Sequence, residues 1–346
     1  MQTLTLLALS TLFLLPPQPV EETLAWNPAP SPTLRRTVNL ESSTTVDEST
    51  LLLMGDERDA GSGMERTRDF RIVTLENYAA SESAHPHRLV RVYESVRESK
   101  ASEGAPADVH ITGLGDETGL LEGLTVAFDY DAEEDTWAAA FADDSEGDEE
   151  WLALLKADMD CAAFLPSSAV KSGDSWDVEL VAAHDLLWPG GEVLVESASD
   201  SDDGPEGGIR INMPRNADIR RLDELDGSLE ATYTGSREVD GRMLAVIELE
   251  LDLAGDLEVI DDLLAKSPGS DDEYSLADCS RELEGKGELL WDIKGGHLAS
   301  LVFTVDFETS LDAAWSMPAG GMDLDLETSN TESGQLKLEI NVERVE

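Results

Sequence analysis

The sequence predicts a mainly β fold, α+β at the margin: one large, curved antiparallel meander sheet or half-barrel with two or three packed helices. Three observations predict it. Apolar residues alternate with polar ones through segment after segment, the spacing of a half-buried strand. Gly-containing pairs fall between such segments at hairpin distance. Helical spacing of apolar residues is confined to a few short stretches.

Taken in chain order, Leu4 to Leu15 is nearly unbroken apolar sequence, followed by Pro16 and Pro17. Twelve helical residues reach roughly 18 Å, short of a roughly 30 Å hydrocarbon core. The length fits the apolar region of a signal peptide over residues 1–25, with cleavage expected between Ala25 and Trp26. Export follows, to the periplasm, cell envelope or extracellular space. Residues 26–33 read as a Pro-rich linker. Residues 34–346 then form the β-rich domain, read as two similarly organised halves dividing near 200–226.

In the N-terminal half, strands are expected at 34–45, 66–76, 87–98, 123–131, 135–142 and 174–182. Segments 191–198 and 209–213 read as a hairpin with a long polar tip. The C-terminal half alternates more cleanly. Met243, Ala245, Ile247, Leu249, Leu251 and Leu253 share one face, with Glu248, Glu250 and Asp252 on the other. The same holds from Leu298 to Phe307, at Met322, Leu324 and Leu326, and at Leu336, Leu338, Ile340 and Val342. Asp240-Gly241, Gly295-Gly296 and Ser333-Gly334 supply turns, and such short connections make the pairing antiparallel. Helices are expected at 148–159, N-capped by Asp148, at 256–265, and at about 214–225 behind Pro214.

Charge narrows the function. The 346 residues hold 74 Asp+Glu against 24 Lys+Arg, a formal net charge of -50. Such a chain repels nucleic acid, whose binding needs Lys and Arg to displace counterions. Residues 101–209 are the extreme, with 28 acids and 2 bases. In the last third the acids fall on the polar parity of strands, which makes the excess a solvent coat. Self-repulsion in such a coat is relieved by salt. Diffuse cations are expected around it. The runs Asp143–Glu150, Asp200–Gly204 and Ser270–Glu273 lack the spacing of a calcium loop. No later stretch is long and apolar enough for insertion of the mature chain into a membrane.

Catalytic and cofactor motifs are weak throughout, and the reading is of a non-enzyme without cofactor or metal. Gly173-Asp174-Ser175 invites comparison with serine hydrolases. However, His184 lies nine residues on, along or past the same strand, and there is no nucleophile elbow. The turn-then-strand reading fits better, with Trp176 planted in the core, and a hydrolase using Ser175 is a remote alternative. His85-Pro86-His87 lacks a third ligand at zinc spacing. Gly113-Leu114-Gly115 is too short for a phosphate fingerprint. The two cysteines, Cys161 and Cys279, are a candidate disulfide in an exported chain. Trp188, before Pro189-Gly190-Gly191, is the candidate ligand-contacting aromatic.

A leader followed by alternating strands is one part of a resemblance. Phe164-Leu165-Pro166 with Val170-Lys171-x-Gly173-Asp174-Ser175-Trp176-x-Val178 is a second. Gly285-x-Gly287-x-Leu289-x-Trp291-Asp292-x-x-x-Gly296 is a third. Together they resemble a group of exported bacterial β-rich proteins of unknown function, over about half the chain. The resemblance implies an exported antiparallel sheet and no catalytic residues. The functional expectation is a non-enzymatic exported protein. It would bind an apolar or amphipathic ligand, or an envelope partner, in the concave face of the sheet. The alternative is a structural or assembly protein of the envelope with no ligand.

Overall fold

The structure is a computed structural model. It describes residues 21–28, 33–53, 56–59, 61–79, 86–104, 109–112, 114–134, 136–142, 144–153, 155–157, 160–191, 193–195, 209–212, 222, 225–258, 273–319 and 322–345. Fifteen strands account for most of it. These are β1 (Thr33–Leu53), β2 (Asp56–Asp59), β3 (Glu65–Tyr78), β4 (Arg88–Glu103), β5 (Val109–Thr112), β6 (Gly115–Thr118), β7 (Thr125–Asp131) and β8 (Thr136–Phe141). Then come β9 (Asp174–Val178), β10 (Ile209–Asn212), β11 (Asp226–Val239), β12 (Arg242–Glu258), β13 (Glu273–Asp292), β14 (His297–Ala319) and β15 (Met322–Val345).

Thirteen strands form one sheet, in the order β8-β7-β4-β3-β1-β15-β14-β13-β12-β11-β9, with β2 beside β1 and β6 beside β4. Every pairing in it is antiparallel. The sheet is not closed into a barrel; β8 and β9 are its two edges. The chain starts at the middle of the sheet, meanders out to β8, crosses to β9, and meanders back through β11–β15. Its first and last strands are therefore neighbours, with Thr33 opposite Val345.

One face is buried, and it carries the parity expected from the alternation. It presents Leu34, Val38 and Leu40 from β1, Phe70 and Ile72 from β3, and Leu338 and Ile340 from β15. Leu301, Phe303 and Val305 of β14 and Ile247, Leu249 and Leu251 of β12 continue it. In β1 a bulge between Val46 and Glu48 shifts the parity, so Val46 and then Ser49 and Leu51 stay on the buried side. The outer face is wet and acidic over β11–β14.

The covering layer is the connection between the edges. Residues 142–173 run from β8 across the buried face to β9. Residues 180–195 return, through a 3-10 turn (Leu180–Ala182) and the helix α1 (Ala183–Leu187). The passes join where the Lys156 N–H donates to the Gly190 carbonyl (2.9 Å), and the return ends where Leu120 N–H meets the Leu194 carbonyl (2.9 Å). This strap packs Leu152, Phe164, Leu186 and Leu187 onto the sheet.

Several expected elements take another form. Among the described residues of 148–159 the only helical element is a 3-10 turn at Glu149–Leu152. Asp148 does cap it, accepting from Glu150 N–H, but the chain then extends along the sheet to reach its polar anchors. In 256–265, Asp256 to Glu258 remain in β12, opposite Ser280 to Asp278; the rest lies outside the described residues. Most of 214–225 also lies outside them. The strand expected at 174–182 ends at Val178, and α1 follows within five residues. Ser333-Gly334 is no hairpin. Gly334 sits inside β15, because its missing Cβ leaves room for the Phe307 ring and the Ser43 carbonyl. Residues 209–212 pair with β5 in parallel rather than with 191–198. By contrast, Asp240 and Gly241 both adopt positive φ (51° and 74°), which the β11–β12 hairpin needs.

Residues 21–28 pack against the rest of the fold. Glu22 exchanges two backbone hydrogen bonds with Val170, Leu24 is buried, and Asn27 N–H donates to the Gly296 carbonyl.

Candidate functional site

Charged residues on the buried parity of the sheet mark the site. Arg36 of β1, Glu76 of β3, Arg91 of β4 and Asp160 of the strap all have 0% exposure. Register places them: Glu76 lies directly opposite Arg91, and Arg36 is diagonal to Glu76, opposite Thr74. Glu76 Oε1 accepts from Arg91 Nε at 2.7 Å, and Oε2 accepts from Arg36 Nη2 at 3.0 Å and Nε at 3.3 Å. Arg36 also pairs with Asp160. Two cations and two anions thus neutralise one another.

The remaining polar atoms of the cluster tie the strap and the N-terminal segment to the sheet. Arg91 donates to the carbonyls of Lys156 (2.9 Å) and Ala157 (2.6 Å). Trp26 Nε1 donates to Asp160 Oδ2 at 2.9 Å. The Tyr78 hydroxyl lies 3.2 Å from both Glu76 and Asp160. Phe128 lies under the Arg91 guanidinium, 4.9 Å from centroid to Cζ. The network is a latch between three pieces of chain remote in sequence.

Electrostatics fix its protonation. Burial works to raise the Glu76 pKa, but Arg36 and Arg91 outweigh it and bring it from 4.5 to about 2. Burial would lower Arg36 and Arg91, yet the facing carboxylates hold both above their ordinary value. Tyr78 is pushed well up, by burial first and then by the two carboxylates. A carboxylate so acidic, with both oxygens occupied, is a poor general base at neutral pH. The chemistry of this cluster is cohesion.

Beside the latch, His297 Nδ1 meets the Leu298 carbonyl at 2.6 Å, and Nε2 is buried with no hydrogen-bond partner among the described residues. Burial lowers its pKa from 6.5. Asp292 accepts from Gly295 N–H (2.6 Å) and pairs with Arg344 (3.2 Å). A second cluster lies further along β3 and β4. Glu98 pairs with Arg68 and with Lys100 (2.8 Å), and Lys100 reaches Glu117 (3.3 Å).

The residues singled out in the sequence are dispersed. Trp188 is half-buried at the end of α1, its ring 4.8 Å from the Arg68 guanidinium and edge-on to Phe70 at 6.1 Å. Ser175 is exposed on the edge strand β9, and its hydroxyl meets that of Thr232 at 2.8 Å. His184 belongs to α1. Cys161 and Cys279 are both buried, and no bridge joins them. Cys161 adjoins Asp160 at the latch. Cys279 lies on β13 between Leu257 of β12 and Leu311 of β14. His85, Gly113 and the acidic runs at 200–204 and 270–272 lie outside the described residues. Among the described residues no three His, Cys, Asp or Glu side chains converge as a metal-ligand set. Among them, too, no helix is long and apolar enough to cross a membrane.

Both turn-and-strand motifs have structural explanations. In the first, Trp176 Nε1 donates to the Phe164 carbonyl (3.1 Å), and Asp174 accepts from Lys171 N–H (2.7 Å), which closes the loop. In the second, Phe303 lies across Gly285 and Gly287, Leu289 and Trp291 are fully buried, and Asp292 organises the turn to Gly296.

The charged latch itself went unread in the sequence, although a signal existed. Arg36 sits between Leu34 and Val38, Arg91 between Leu89 and Tyr93, and Glu76 on the parity of Ile72 and Tyr78. Three charges of mixed sign on apolar parity call for mutual pairing.

No protein-family model matches the chain, and no curated protein matches it. Among solved structures the chain is similar to an outer membrane channel from Pseudomonas putida F1. The identity is 10%, the alignment covers 92% of this chain and 98% of that one, and the TM-score is 0.22.

Proposed function

We propose that this is a non-enzymatic exported protein that acts by binding a protein partner in the cell envelope, as an assembly or structural component. The observation that carries this reading is the strap. Part of the buried face, where an apolar ligand would have entered, is occupied by the protein's own residues 142–173 and 180–195, held down by the fully buried latch. A ligand would have to displace that layer and break charge pairs, at a cost of about 3–5 kcal/mol for one uncompensated partner. We assign recognition to the sheet's outer surface and edges. The apolar run at Leu4–Leu15 supports export.

The test pairs two measurements. Cross-linking in intact cells should capture a specific protein neighbour. The purified protein, offered a hydrophobic fluorescent probe and a lipid extract, should take up neither stoichiometrically. Stoichiometric lipid uptake, or recovery of free monomer alone from cells, would overturn the reading.

A further inference from the structure

The two edges of the sheet are built differently. At one end β9 is five residues long and carries Asp174 and Asp177, charges of the kind that keep an edge from pairing. At the other end β8 reads Thr136-Trp137-Ala138-Ala139-Ala140-Phe141. It is the one strand of the thirteen-strand sheet with no Asp, Glu, Lys or Arg, in a chain that is 28% charged. It contains no proline and no bulge, and it pairs with β7 without a break from Thr136 to Phe141. Among the described residues nothing pairs with its other side.

Its side chains suit strand addition. Trp137 and Phe141 anchor the strand inward, against Tyr130 (5.2 Å) and Trp151 (6.4 Å) respectively. Thr136, Ala138 and Ala140 are exposed on the outer face and small. Ala140 continues into Ala127 and then Val90 along one row of the register, and in the rows beside it Asp129 stands opposite Ala138 and Asp131 opposite Thr136, so no acid faces an acid across β7 and β8. That contrasts with β11–β14, where acids oppose acids.

Acids flank the strand instead. Asp131, Glu133 and Glu134 precede it and Asp144, Glu146 and Asp148 follow it, all exposed. A second copy added here, parallel or antiparallel, would set acid against acid. A strand bearing Lys or Arg at both ends would meet opposite charge at both. We propose that β8 is a docking edge for an extended segment of a partner protein, about six uncharged residues with basic residues on either side. Main-chain hydrogen bonds would supply affinity and the flanks selectivity and register. The proposal deepens the partner-binding reading and rests on it.

The probe is the synthetic peptide Lys-Lys-Thr-Val-Thr-Val-Thr-Val-Lys-Lys, offered to the full-length protein and followed by fluorescence anisotropy. It should bind, and weaken as salt rises. A Glu-flanked version, a version N-methylated at alternate amides, and the Ala138→Lys/Ala140→Lys variant should each lose about tenfold or more in affinity. The variant should keep the wild-type melting temperature, because both positions are exposed. No binding, or equal binding of the N-methylated peptide, would overturn the proposal. A wild-type dimer that the lysine variant abolishes would overturn it in favour of a second copy. Cross-linking of the lysine variant in cells separates the two claims. A neighbour retained there refutes the edge and spares partner binding, whereas no neighbour even for wild type refutes the broader reading.

Discussion

Replacing Glu76 by Gln removes one charge and almost no volume, and it should be among the costliest single changes in the molecule. The carboxylate takes three hydrogen bonds from two guanidinium groups, at 2.7, 3.0 and 3.3 Å. An amide keeps one acceptor, and its NH2 then faces an arginine donor. Arg36 retains Asp160, whereas Arg91 is left with only backbone carbonyls for its buried charge. Breaking a buried pair from one side costs about 3–5 kcal/mol. At roughly 2.1 cal/mol/K per residue, the roughly 260 described residues give about 0.55 kcal/mol/K, so a loss of about 4 kcal/mol lowers Tm by about 7 °C. Differential scanning calorimetry at pH 7 reads this directly. The pH dependence supplies a check with a definite sign. The Glu76 pKa is lowered on folding, so its contribution is present above pH 4.5 and is lost as pH falls towards about 2. Over that window about 3 kcal/mol disappears, and the gap between wild type and Glu76→Gln should close. A second arm combines Glu76→Gln with Arg91→Met, whose effects should be coupled by about 1–3 kcal/mol. A Tm within 1 °C of wild type, or strictly additive effects, would refute the latch.

Other predictions follow from separate features. A chain beginning at Trp26 should melt several degrees below one beginning at Glu21, because it loses the Leu24 burial, worth about 2 kcal/mol, and the Glu22–Val170 bridge; equal melts would show that these contacts add nothing to stability. On the outer face Glu284 stands between Asp252 and Asp306, and Glu282 faces Glu308. Like charges placed so are destabilising, so raising NaCl from about 10 mM to about 0.5 M, which shortens the Debye length, should raise Tm; Glu284→Lys should raise Tm at low salt and shrink that increment. A Cβ on Gly287 would stand 2.4 Å from the Phe303 ring and from the Val302 carbonyl, so Gly287→Ala should destabilise as a misfit core substitution does, by about 1–3 kcal/mol, read by urea unfolding. The His297 pKa is lowered by burial, so its unfolded state binds the proton first and stability drains below about pH 6.5; His297→Gln should flatten that part of the stability curve.

The sheet was legible in the sequence because alternation is a local property. β3, β4, β7 and β8 lie within a few residues of their expected bounds, and the Asp240-Gly241 hairpin is where its dipeptide puts it. The helix expected at 148–159 failed for a physical reason. Of the stripe Trp151, Leu154, Leu155 and Met159, Trp151 and Leu155 do pack against the core, but as part of a layer whose backbone is claimed by Arg91 and Gly190; Leu154 and Met159 lie outside the described residues. Spacing that fits a helical stripe also fits a strap pinned to a sheet, and tertiary contacts decide between them. Gly334 misled because a glycine beneath a cross-strand aromatic and a glycine in a turn look alike in one dimension. Of the latch, the sheet half was readable as charges on apolar parity. The Asp160 half was not, since nothing local links a loop acid to an arginine 124 positions earlier.

Because the chain begins and ends at the middle of the sheet, β1 waits for β15 throughout synthesis. About 300 residues separate them, and at roughly 5–20 residues per second that is on the order of 15–60 s. During that interval the N-terminal meander carries an open central edge of 21 residues, far longer than the β8 edge of the finished molecule. A chain stopped before Met322 never fills it. Nascent or truncated forms of this protein are thus the aggregation-prone ones, and a holding factor, or transport before folding, has its work at that edge.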